Sequence, residues 1–262
     1  MKRAYVTLLS SSSYILGVLG LYRSLQKYGK TKFPFLCVCS QCMAVENLTL
    51  LKDEGIDCLM LEHSALDGVN LPNSNQGYEH WTYTFDKLLL WGLTAYDKLV
   101  FLDSDMMVLS NIDDLFDKPP MSAVQAGFLL HNDWNRLNSG LMVIEPNVEV
   151  RDRLLSQLPV TIQSYNDAQS GVGDQDVIND VFPNWSNEEE LHLLEGYNLF
   201  FKHLTIYHKR FGFQMKDIKV VHFIGKQKPW YDNGMRKVYS LIRQLIHNPY
   251  GCRWYWRYQQ LL

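Results

Sequence analysis

The sequence predicts an α/β protein with a doubly wound, mostly parallel sheet in a single domain. Three observations predict it. Short apolar runs alternate with helix-length amphipathic stretches from the N-terminus onward. The run L-V-F-L at residues 99–102 is wholly apolar, as in a strand covered on both faces. The 262 residues, 47% apolar and 20% charged, suffice for one large core and lie within the size that α/β domains reach.

The elements follow in order. Residues 4–9 read as a strand, and Ser10 to Ser13 supply a turn and a helix N-cap. A helix is expected over 14–28, closed by Gly29, then a strand over 33–39. Residues 44–54 form a helix ended by Gly55, and 57–61 a third strand. This rhythm places ligands at the carboxyl ends of the strands. No G-x-G-x-x-G occurs, so the dinucleotide-binding fingerprint is absent. Residues 62–78 form a long polar loop, and 81–93 a helix with Phe85, Leu88, Leu89 and Gly92 on one side. Lys87 lies off that stripe, where a solvated surface lysine is the simplest reading. Further strands are expected at 121–127 and 140–144, and helices at 148–158 and, after the stretch 171–176, to about 182. A strand at 218–221 ends in His222, and 235–247 is an amphipathic helix before an aromatic tail.

The most informative stretch is K-L-V-F-L-D-S-D-M-M-V-L, residues 98–109. In extended backbone, Asp103 and Asp105 share one side and Ser104 faces away. Two crowded carboxylates suit a hard divalent cation, which in turn holds phosphates. An Asp-rich turn at a strand end is the competing explanation. Other segments carry similar pairs of readings. Asn138-Ser139-Gly140 makes a turn or a sugar contact. Asp174, after Gly171 and Gly173, is an N-cap or a ligand-facing carboxylate beside Gln175. His222, followed by Gly225, Lys226 and Lys228, is structural or suited to a pyrophosphate.

Composition excludes some classes. A net charge of −3 gives no electrostatic case for nucleic acid. Fifteen Tyr and seven Trp suit carbohydrate binding as well as packing. Five cysteines argue against a disulfide framework and for a reducing compartment. C-x-C-x-x-C at Cys37, Cys39 and Cys42 lacks a fourth zinc ligand, and its first two members sit inside an apolar run. The apolar stretch after M-K-R is interrupted by serines and has no cleavage site, and no window is long enough for a transmembrane helix. A cytoplasmic protein is expected.

Six segments then fall into one order: A-Y-V-T-L, K-L-L-L-W, F-L-D-S-D-M-M-V-L-S-N-I-D-D-L-F, N-S-G-L-M-V-I-E-P, G-D-Q-D-V-I-N and K-V-V-H-F-I-G-K-Q-K-P-W. Together they span residues 4–230, and the chain resembles the family-eight retaining glycosyltransferases, in particular their glycogenin and galactinol synthase branches. The resemblance implies a GT-A type fold, Mn²⁺ and a UDP-hexose donor. Carried over by position, Asp103, Asp105 and His222 are the metal ligands. Leu8, Ser11 and Tyr14 hold uracil and ribose, while Lys87, Gly225 and Lys228 surround ribose and diphosphate. Asn138, Asp174 and Gln175 face the hexose, with Ser104 and Ser139 beside the donor. It further implies a catalytic domain over 1–234, with 235–262 as a helix and tail packed on it or continuous with it.

The chemistry is coherent. Departure of UDP concentrates negative charge, which a metal and Lys228 would neutralise. His222 binds metal only when neutral, so activity is expected to fall in acid. Retention of configuration needs a nucleophile, for which Asp174 is the candidate, or attack from the leaving-group face. Gly171 stands where glycogenin has an aspartate, which leaves donor and acceptor choice open. A small sugar or a polyol such as inositol is the expected acceptor, with self-glycosylation at Tyr207 as the alternative. For the tail with Trp254, Tyr255, Trp256 and Tyr258, packing on the core is expected, a homodimer contact or a membrane surface being alternatives. Two rivals are a haloacid dehalogenase-type phosphatase, which needs Thr or Val where Met107 stands, and a non-catalytic nucleotide-sugar binder.

Overall fold

The structure is a computed structural model that describes residues 1–41, 43–69, 84–125, 127–168, 170–226 and 228–262. Cys42, much of the 62–78 loop and the start of the 81–93 helix lie outside the described residues. The strands are β1 Arg3–Leu9, β2 Phe35–Cys39, β3 Asp57–Met60, β4 Lys98–Leu102, β5 Met106–Val108, β6 Ala123–Val124, β7 Asn138–Ile144, β8 Leu199–Phe200 and β9 Val220–His222. The α-helices are α1 Ile15–Ser24, α2 Val45–Asp53, α3 Val148–Asp167, α4 Asp174–Val181, α5 Leu204–Phe211, α6 Gly234–His247 and α7 Pro249–Gln259.

A six-stranded sheet runs β3-β2-β1-β4-β7-β6. Its first four strands are parallel, while β7 and β6 add antiparallel. Alternation along each strand feeds two cores. Ala4, Val6, Leu8, Leu99 and Phe101 face one layer, with α3, α4 and the 3₁₀ segment Phe85–Gly92. Tyr5, Leu9, Cys37, Val100 and Leu102 face the other, with α1 and α2. Each buried Leu, Ile or Val side chain contributes roughly 1.5–3 kcal/mol, so the doubly wound arrangement rests on both layers together. Cys37 and Cys39 are fully buried free thiols of the second layer.

Several expectations need correction. The backbone is not extended through Asp103 and Asp105: the chain turns after Leu102, and Met106–Val108 joins a second sheet, β5-β9-β8. The 3₁₀ segment replaces the described part of the expected 81–93 α-helix. The helix over 148–158 continues to Asp167 with Pro159 inside it. An interior proline costs a helix about 3 kcal/mol, and burial of Leu154, Leu158 and Ile162 on one side offsets it. The strand at 121–127 shrinks to Ala123–Val124, and β7 starts earlier, at Asn138. After α1 a π turn runs Leu25–Gly29, and the left-handed residue that stops it is Lys30, φ 48°, not Gly29.

The aromatic tail is α7. Trp254, Tyr255 and Tyr258 are buried in a third cluster with Tyr207 and Phe223, and Tyr258 fits because Gly20 of α1 has no side chain. Among the described residues no helix is long and apolar enough to cross a membrane.

Candidate active site

The sheet order reverses between β1 and β4: the chain builds outward through β2 and β3, then returns to the other side of β1. Parallel sheets bind ligands at the carboxyl ends beside such a reversal. A cleft of about 580 Å³ opens there. All fourteen residues nominated from the sequence lie on its wall, from Leu8 and Ser11 after β1 to Gly225 and Lys228 after β9. A larger hollow, about 1120 Å³, lies elsewhere between α3, α4 and Trp185, away from the paired carboxylates.

Asp103 and Asp105 are brought together by a turn, Met106 N–H donating to Asp103 O at 3.1 Å, and not by strand alternation. Buried Ser104 passes so close to α1 that a Cβ on Gly17 would lie 2.7 Å from its carbonyl oxygen. His222 ends β9, whose register sets it opposite Met106. One ligand atom from each of Asp103, Asp105 and His222 falls within 4.8 Å of the others. His222 Nε2 lies 3.0 Å from Asp105 and 3.8 Å from Asp103. Two carboxylate oxygens and an imidazole nitrogen are a donor set that fits a divalent cation such as Mn²⁺.

The imidazole is held from behind. His222 Nδ1 lies 2.9 Å from Asn198 Oδ1, and Asn198 Nδ2 donates to Asn138 Oδ1 at 2.6 Å. Asn138 Nδ2 in turn donates to Gln175 Oε1 at 3.0 Å. Gly140 makes room, since a Cβ there would sit 2.8 Å from His222 Cε1. The N-S-G start of β7 therefore positions the histidine as well as lining the cleft.

Lysines flank the carboxylates. Lys228 Nζ is buried 2.5 Å from Asp105 Oδ2 and donates to Phe223 O at 2.9 Å. Lys87 is not a surface lysine: it is 2% exposed, 3.1 Å from Asp103 and 2.7 Å from Asp174. The 3₁₀ backbone points it inward, whereas helical periodicity placed it off the buried stripe. Burial alone would lower its pKa, but Asp103 and Asp174 outweigh this and raise it. Burial also pushes the Asp103 carboxyl up; Lys87 opposes the shift and neighbouring Asp105 adds to it. Burial would do the same to Asp105, but His222 and Lys228 hold it below the usual carboxylate range. The pair is thus one firmly ionised group beside one that gains from an added cation.

Asp174 is the first residue of α4, and Gly173 is its N-cap. The N–H of Gly173 donates to Asp176 at 3.0 Å. The contact of Asp174 Oδ2 with Lys87 is an ion pair without hydrogen-bond alignment. On the first-strand side, Ser11 caps the turn Ser12–Tyr14, and the Tyr14 ring meets Trp230 edge-on at 5.4 Å. Burial raises the Tyr14 phenol pKa. Gly225, with φ 97°, holds a conformation suited to glycine.

Sequence reasoning missed Asn198, Trp134, Arg136 and Tyr165. The last three line the cleft, and Arg136 and Tyr165 both reach Asp176, at 3.2 and 2.7 Å. A buried asparagine beside a candidate ligand has no local signature. The second aspartate of G-D-Q-D was the only hint of the Arg136 group.

The chain shares 34% identity over 238 residues with glycogenin-1 of Caenorhabditis elegans, covering 88% of this chain and 51% of that protein. With UDP-glucuronate:xylan alpha-glucuronosyltransferase 1 of Arabidopsis thaliana it shares 31% over 240 residues, covering 87% and 32%. The chain therefore spans about half, or less, of these curated relatives. It superposes on the galactosyltransferase LgtC, solved with donor and acceptor sugar analogs, at a TM-score of 0.63 and 14% identity, over 98% of this chain and 94% of that one. That likeness gives the fold, which is of the GT-A type. Residues 5–234, which contain every nominated cleft residue, match Glycosyl transferase family 8, and the chain belongs to that family.

Proposed function

We propose that this protein is a retaining hexosyltransferase. It moves glucose or galactose from a UDP-hexose to a hydroxyl of a small sugar or polyol acceptor such as inositol, with Mn²⁺ held by Asp103, Asp105 and His222. The observation that carries the reading is the convergence of those three donors within 4.8 Å, with Lys228 on Asp105, in the cleft at the strand ends. Bound there, the cation supplies positive charge to the departing UDP.

The chain's own residues divide the remaining work. Lys228 brings a second positive charge to the same corner. Leu8, Ser11 and Tyr14 form the wall for uracil and ribose, and Gly225 lets backbone approach the diphosphate. Lys87, with its neighbour Ser139, bridges Asp103 and Asp174 beside the turn at Ser104. Asn138 and Gln175, already joined at 3.0 Å, face the hexose with Asp174. Pairing with Lys87 makes the Asp174 carboxylate a poorer nucleophile, which supports attack from the leaving-group face.

The acceptor is a separate molecule. Tyr207 is 1% exposed, packed on Phe211 and Phe213, and absent from the cleft wall, which weighs against self-glycosylation there. We assign catalysis to residues 1–234, treat 235–262 as an appended helical pair, and place the reaction in the cytoplasm, in keeping with the buried free thiols.

The test incubates the protein with Mn²⁺ and UDP-glucose, UDP-galactose or UDP-glucuronate, with and without inositol or simple sugars. UDP release and intact mass are followed. Acceptor-dependent UDP release from a UDP-hexose with unchanged protein mass is expected. Hexose additions to the protein that vanish in Tyr207→Phe would establish self-glycosylation, and donor binding without turnover would leave a nucleotide-sugar binder.

A further inference from the structure

Helix α6 presents its apolar side outward. Met235, Val238, Tyr239, Ile242, Leu245 and Ile246 are each between 51% and 83% exposed. Their spacing places them on one stripe of the helix. The side facing the protein buries Ser240, with Leu241 partly packed on the core. Scattered exposed apolar residues are ordinary; a continuous stripe of six marks an interaction surface.

Charge says what that surface meets. Residues 233–262 hold five of the chain's 25 lysines and arginines and none of its 28 acids, although the whole chain is −3. On the helix, Arg236 and Arg243 border one edge of the stripe and are exposed, whereas Lys237 is only partly exposed, on the side of Ser240 and Leu241. Trp256 of the adjoining α7 is 49% exposed. A surface-lying helix with an apolar stripe, a cationic border and low mean hydropathy fits a lipid interface.

We propose that α6 docks this protein onto an anionic lipid bilayer, the stripe entering the headgroup–acyl boundary and the cations meeting lipid phosphates and carboxylates. A second copy fits less well. A two-fold contact through this stripe would set the same cations against one another, with no acid of this segment to answer them. The bilayer supplies both an apolar layer and negative charge.

The test is co-sedimentation of the full chain with vesicles of phosphatidylcholine containing roughly a third phosphatidylserine. Binding is expected, weakening with salt and by roughly fivefold for each of Arg236→Gln and Arg243→Gln. The double variant Leu245→Glu, Ile246→Glu is expected to bind at least roughly tenfold more weakly. Both sites are solvent-exposed, so its circular dichroism and melting temperature are expected to match the parent. Absence of binding to these vesicles would overturn the proposal, as would equal binding by the double glutamate variant. A solution dimer broken by that variant, in a protein that ignores vesicles, would assign the stripe to a second copy instead.

Discussion

Asn198 presents its Oδ1 to Nδ1 of His222 at 2.9 Å, and this contact decides which imidazole nitrogen is left for a cation. Asn198 Nδ2 is committed to Asn138 Oδ1, so the oxygen faces the histidine and can only accept. Nδ1 then carries the proton, and the Nε2 lone pair is directed at Asp103 and Asp105.

From this we expect Asn198→Leu to weaken Mn²⁺ binding by about 10–100-fold, the usual cost of losing a partner behind a metal-bound histidine. Free Mn²⁺ measured by electron paramagnetic resonance in the presence of UDP reads this without turnover. Asn198→Asp keeps an acceptor for His222 but turns a carboxylate oxygen toward Asn138, so an intermediate affinity is expected. Unchanged Mn²⁺ affinity in Asn198→Leu would show that the contact does not orient the ring.

Asp103 and Asp105 are expected to separate in their effect on stability while sharing their effect on catalysis. Asp105 is the counter-ion of buried Lys228, so Asp105→Ala leaves a buried ammonium without its counter-ion. Breaking a buried pair in this way costs about 3–5 kcal/mol, a fall in Tm of roughly 10 °C. Asp103 is more open, with 29% of its side chain exposed, so Asp103→Asn is expected to lower Tm much less. Both are expected to cut UDP release at least roughly a hundredfold. Differential scanning calorimetry and a donor-turnover assay check the two halves; equal melting temperatures would remove the buried-pair account.

Which parts were legible in the sequence follows from where the information is stored. β1, β2 and β4 are apolar runs bounded by turns, and Asp103, Asp105 and His222 stand at strand ends, so local pattern reveals them. Strands of two or three residues, such as β8 and β5, are too short for any period, so the second sheet was not visible. Lys87 was misread because a 3.6-residue period was assumed where the backbone is 3₁₀. The helix expected over 148–158 runs on to Asp167, since tertiary burial carries it past Pro159. Asn198 belongs to the site only through contacts made in three dimensions, with Asn138 sixty residues away in sequence.

His203 gives a prediction in pH. Its ring is partly buried, Nδ1 has no hydrogen-bond partner among the described residues, and it lies near Lys202 and His131, so its pKa is lowered from 6.5 to about 4, first by burial and then by those neighbours. Between about pH 4 and 6.5 the unfolded chain therefore binds a proton that the folded chain resists, and stability rises with pH. As pH falls from 6.5 toward 4, that contribution is progressively lost. The ring keeps part of its contact with water, so the loss is smaller than the full shift would give. Acidic groups add their own slope below this window, which makes the difference between parent and variant the useful quantity. His203→Gln cannot take up the proton, so its melting temperature is expected to fall less steeply than the parent's from pH 6.5 to 4. Thermal melts across that range check it, and parallel curves for the two proteins would show that His203 is not the group responsible.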